Sequence, residues 1–95
     1  MSSYTDSLLV ARVARVVRKL AWGRSGADHL ARRLVAEGGE CLHAMPWREL
    51  IDLIHLARRE AVKLGAPPTG AIFGADVLLA ELVKTRARLW GGMEG

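Results

Sequence analysis

Cys41 and His43, one residue apart with Glu40 alongside, are the nearest thing in this sequence to a metal-ligating set. A structural zinc site takes four ligands, and no second pair stands at zinc-like spacing. The two residues therefore read as a loop cysteine and histidine, and no metal is expected. As a nucleophile, Cys41 would need a general base and an oxyanion donor, and only the neighbouring His43 speaks for either. Asp52 and His55 stand one helical turn apart, an arrangement that can orient an imidazole for acid–base work. They fall on and beside a polar face, where a surface pair is the simpler reading. Gly23-Arg24-Ser25-Gly26 precedes a helix start and could offer one phosphate the positive end of a helix dipole. It lacks the spacing and the lysine of a phosphate-binding loop. The residues assemble no catalytic set and call for no cofactor, so the expected protein is not an enzyme.

The cations carry a stronger signal. Residues 1–36 hold seven of them (Arg12, Arg15, Arg18, Lys19, Arg24, Arg32 and Arg33) against Asp6 and Asp28. That third carries +5 and the rest of the chain −1, so all of the excess positive charge behind the net +4 lies in the first third. Between Leu8 and Trp22, a helical repeat of 100° per residue divides the sequence into two arcs. One carries Leu9, Val10, Val13, Ala14, Val16, Val17, Leu20 and Ala21. The other carries Arg12, Arg15, Arg18 and Lys19, with Leu8 and Trp22 interleaved and no acid. A solvated helix face normally mixes both signs, because acid–base pairs four apart stabilise it slightly. Here the cations repel one another, and an anion would relieve that repulsion. Arginine outnumbers lysine six to one in this third, which suits bidentate contact with phosphate or carboxylate. The bland alternative is a face charged only for solubility, with Trp22 folded back over the core as a lid.

The leading expectation is a non-enzymatic regulatory protein whose basic N-terminal helix docks nucleic acid or a nucleoprotein. Arg12, Arg15, Arg18 and Lys19 would neutralise phosphates, with Arg24, Arg32 and Arg33 as outer contacts. The alternative is a small protein-binding inhibitor or adaptor, of the phage or mobile-element type, whose Leu8, Trp22 and arginines meet an acidic protein surface. A helix-turn-helix, with Asp28, His29, Arg32 and Arg33 offered to a groove, is a weaker reading, because its second helix starts on an acid and is short. A membrane-surface role is set aside, since Val13, Val16 and Val17 are explained by core packing. Residues 53–60, LIHLARRE, resemble over eight residues a helical stretch in regulatory proteins of Mu-like phages. The acidic, tyrosine-containing continuation is replaced by Ala61-Val62-Lys63-Leu64-Gly65, so no function is carried over.

These residues need elements to hold them, and glycine and proline punctuate the chain accordingly. The pattern predicts an all-α fold, a small up-down bundle of about four helices over roughly 6–22, 26–37, 46–64 and 71–90. Gly23 stops the first helix, and Ser25 with Asp28 resembles a capping box for the second, which buries Leu30, Ala31, Leu34 and Val35. Pro46 suits the first position of the third, whose stripe holds Trp47, Leu50, Ile54, Ala57, Ala61 and Leu64. Thr69 is the expected cap of the fourth, which is read as burying Ile72, Ala75, Leu78, Leu79, Leu82, Val83 and Leu89. Gly74 is a candidate break in it. Arg86 falls inside the apolar stripe and is expected to snorkel or to pair with Glu49 or Glu40. Alternation of direction puts Trp47 and Trp90 at one end of the bundle, and Trp22 and Phe73 at the other.

Ninety-five residues read as one domain over 1–95, with 1–5 and 91–95 expected to be flexible. A hydrophobic content of 51% supplies a core and leaves apolar surface over, enough for a homodimer to which the sequence assigns no interface. The opening Met1-Ser2-Ser3-Tyr4-Thr5-Asp6 has no secretory pattern, no apolar run reaches membrane-spanning length, and a single cysteine makes no internal disulfide. The expectation is a cytoplasmic protein.

Overall fold

Glycine and proline mark the boundaries between helices in the chain. The computed structural model describes residues 7–38, 42 and 45–90, and there it holds four helices: α1 (Ser7–Leu20), α2 (Ala27–Gly38), α3 (Trp47–Lys63) and α4 (Pro68–Trp90). Among the described residues there is no strand, so the fold is all-α, as the periodicity predicts.

The caps differ in detail from the expected ones. At the start of α2, Gly26 adopts φ +80 and its carbonyl accepts from the Leu30 N–H, so glycine fills the position read for Ser25. Asp28 is engaged instead by Arg32 at 3.0 Å, and no capping box forms. Pro46 stands just outside α3 at φ −58, ψ 148, and its carbonyl takes the first bond, from Leu50. The end of α3 is a Schellman turn: Gly65, at φ +116, donates to the Val62 carbonyl, and Ala66 donates to Ala61. α4 begins three residues earlier than predicted, because Pro68 is itself a good first helical residue and the Pro67 carbonyl accepts from Ala71. Thr69 thus lies within the first turn and is not its cap.

The helices alternate in direction. Arg12 on α1 reaches the last turn of α2, and Arg86, late on α4, lies over Trp47 at the start of α3. The first turns of α4 meet the last turns of α1. α1 and α4 each pack against all three other helices, whereas α2 and α3 have little contact among the described residues. The two central helices thus carry the bundle. Leu20, Leu50, Leu53, Leu78, Leu82, Val13 and Val17 are fully buried, joined by Leu42 and Met45 from the α2–α3 connection. Each such side chain contributes about 1.5–3 kcal/mol. The radius of gyration, 12.5 Å, is that of a compact globule of this length (about 12 Å).

α4 shows the largest departure from expectation. Gly74 does not break it but sits buried against the α1 backbone. A Cβ there would stand 2.5 Å from the Val17 carbonyl oxygen, and one at Gly70 would stand 2.7 Å from that of Ala21. Two glycines four apart let the backbones touch. That contact turns Ala71, Ala75, Leu78 and Leu82 inward and Ile72 and Val83 outward, 47% and 41% exposed, against the expectation that both are buried. On α3, Leu53 is buried, while Trp47 and Leu64 at the two ends are exposed. The Leu89 side chain lies outside the described residues.

Arg86 also finds a different partner. Its guanidinium carbon stands 4.3 Å from the centroid of the Trp47 ring, a cation–π stack. It forms no ion pair with Glu49: Arg86 Nη1 and Glu49 Oε1 are both buried without a hydrogen bond among the described residues. Glu40 lies outside those residues.

Glycine to alanine in an exposed helix stabilises by about 1 kcal/mol. Gly74→Ala is expected to do the reverse, destabilising by about 1–3 kcal/mol as overpacked contacts do. Gly23→Ala, with nothing within 4 Å of the new methyl, is expected to be neutral. Urea denaturation followed by circular dichroism distinguishes the two, and equal midpoints would show that the close α1–α4 contact is not needed.

Candidate nucleic-acid interface

The two arcs of α1 separate as the helical wheel predicts. Leu9, Val10, Val13, Ala14, Val17 and Leu20 are buried, Val16 and Ala21 half-buried, and Leu8, Arg12, Arg15, Arg18, Lys19 and Trp22 exposed. The apolar arc is held by α3 and α4, which fixes the direction in which the cations project. Trp22, 70% exposed, is not folded back over the core.

α2 lies along one edge of that cationic arc and closes a groove with it. Arg12, Arg15 and Lys19 line it from α1, and Arg33 and Glu37 from α2, over a floor of Val16, Leu30 and Leu34. The groove has a volume of about 160 Å³. That is below the ~300–1,000 Å³ of sites that enclose a small-molecule ligand. It suits one group of a larger partner, such as a phosphate with its sugar resting on the apolar floor.

The charges are unevenly balanced. On α2, Arg32 is held by Asp28 at 3.0 Å and Arg33 by Glu37 at 3.6 Å, both exposed pairs four residues apart. On α1, Arg12, Arg15, Arg18 and Lys19 have no ion-pair partner among the described residues, nor has Arg24 in the following turn. Arg12 Nη1 donates to the Glu37 backbone carbonyl at 3.4 Å, at the negative end of the α2 dipole, so it also caps that helix. Arg15 and Lys19 have no such structural task.

The structure therefore brings together four of the predicted residues, Arg12, Arg15, Lys19 and Arg33. Arg18 leans away toward the α3–α4 turn, its Nε near Gly65. Arg24, Arg32, Trp22 and Leu8 are exposed outside the groove. Sequence reasoning missed Glu37 and the floor. The Arg33–Glu37 spacing of four was a usable signal for the acid, whereas Val16 and Leu30 fall at the margins of their helical faces, where periodicity does not decide.

The other chemical candidates gain no neighbours. Cys41, His43 and Glu40 lie outside the described residues, and among those described no three of His, Cys, Asp and Glu come together to hold a metal ion. Asp52 and His55 are both exposed. No described helix is long and apolar enough to cross a membrane. No protein-family model, curated protein or solved structure matches this chain.

Because these cations are exposed and make little use of the fold, their removal should cost little. Arg15→Gln with Lys19→Gln is expected to unfold within about 0.5 kcal/mol of the parent, as ordinary surface substitutions do. A loss above about 2 kcal/mol in thermal unfolding would show that the strip is structural.

Proposed function

We propose that the protein is a non-enzymatic regulatory binding protein that docks nucleic acid in the basic groove between α1 and α2. The observation that carries this reading is the run of four α1 cations without an acid partner among the described residues, three of them converging with Arg33 on one groove. Like charges held this close repel one another, and a phosphate backbone relieves the repulsion by exchanging condensed counterions for arginines. Phosphate contacts position a protein without reading sequence, so this strip supplies affinity and register.

A second reading, an inhibitor or adaptor for an acidic protein surface, is favoured by one feature. Trp22 stands 70% exposed just beyond the cationic helix, and tryptophan with arginine is a preferred interface anchor. On that reading Trp22→Ala costs more affinity than any single arginine.

Fluorescence anisotropy with labelled duplex DNA and RNA at several salt concentrations tests the first reading. Four phosphate contacts give a slope of about −3.6 in log K against log salt, at about 0.9 per contact. Arg12→Glu with Arg15→Glu should flatten it by about half and weaken binding at least tenfold. Glu37→Gln should strengthen binding about two- to fivefold, the scale of one screened surface charge. Absence of binding at low salt, or a slope untouched by these changes, would overturn the proposal.

A further inference from the structure

The outward turn of α4 leaves a face that no other helix covers among the described residues. Thr69, Ile72, Phe73, Asp76, Ala80, Val83, Lys84 and Ala87 are all exposed and fall within an arc of roughly 120° at 100° per residue. Five of the eight are apolar, Phe73 and Val83 each 41% exposed. Surface helices normally set a charged face opposite the buried one, and α4 does not. None of these residues lines the α1–α2 groove.

The charges on this face are arranged symmetrically about Ala80. Asp76 lies four residues before it and Lys84 four after. Asp76 has no ion-pair partner among the described residues, while Lys84 holds Glu81 at 3.3 Å with its side chain still 59% exposed. Two copies of α4 laid antiparallel with Ala80 on the two-fold axis bring each Asp76 against Lys84 of the second copy. The same operation sets each Phe73 beside Ala87 of the other copy, and the alanine at the axis allows close approach. A face complementary to itself under a two-fold rotation is the requirement of an isologous dimer interface.

We propose that the protein forms a homodimer through the outer face of α4, paired antiparallel about Ala80. The helix is about 34 Å long at ~1.5 Å per residue. One helix face is a small interface beside the ~800 Å² per partner of standard-sized complexes, so the expected dimer is a weak, reversible one.

Sedimentation equilibrium from 5 to 500 µM is expected to show a monomer–dimer equilibrium. Val83→Lys, at an exposed position, should shift it at least tenfold toward monomer, with an unchanged circular-dichroism spectrum showing that the fold survives. In a Cys41→Ser background, Ala80→Cys should oxidise to a disulfide-linked dimer, and Asp52→Cys on α3 should not. A wild-type chain monomeric at 500 µM would overturn the proposal and leave this face to a different partner. A dimer indifferent to Val83→Lys, with Ala80→Cys failing to cross-link, would overturn it as well by placing the interface elsewhere.

Discussion

The backbone contact between Gly70 and Gly74 of α4 and residues 17–21 of α1 is the constraint on which the remaining arrangement depends. Both helices occupy the middle of the bundle, so their separation and relative rotation set the positions of α2 and α3. A side chain at Gly74 would push the helices apart along the line on which Val17 and Leu20 are buried. The same contact decides which face of α4 is left outside. It therefore governs both the shape of the core and the apolar stripe of Ile72, Phe73 and Val83.

The cationic face of α1 follows from this frame. With its apolar arc engaged by α3 and α4, α1 projects Arg12, Arg15 and Lys19 together on its outer side, while Arg18 leans toward the α3–α4 turn. α2 turns that ridge into a groove by bringing Arg33, Glu37 and an apolar floor alongside. Helix α2 thus has two roles: it covers part of the core with Ala31, Leu34 and Val35, and its carboxyl end draws in Arg12. The groove's modest size and exposed cations suit a surface met by an extended anion better than a chamber that encloses a substrate.

Much of this was legible in the residues themselves. The division of α1 into two arcs needed only 3.6-residue periodicity and the absence of acids, and the structure follows it except at the margin, where Val16 and Ala21 are half-buried. The helix count and the alternation of direction followed from glycine, proline and short connections. The phase of α4 did not. It is apolar on nearly all sides, so periodicity carries little information about its buried face, and Gly74 read alone is a helix breaker. Only the approach of a second helix makes glycine the residue that fits, and that approach is a tertiary fact. The Arg86 stack on Trp47 was hidden for a similar reason: the wheel shows an arginine in an apolar stripe but not which ring faces it.

The α1–α2 groove is the proposed binding site for an anionic partner. Backbone amide shifts in a ¹⁵N-labelled sample, followed while a short DNA duplex is added at low salt, locate the contact directly. Saturable shifts are expected centred on residues 12–19 and 30–37, with the amides of α3 and the outer face of α4 unmoved. Saturable shifts confined to α3 or α4, or none at all on either side of the groove, would contradict it.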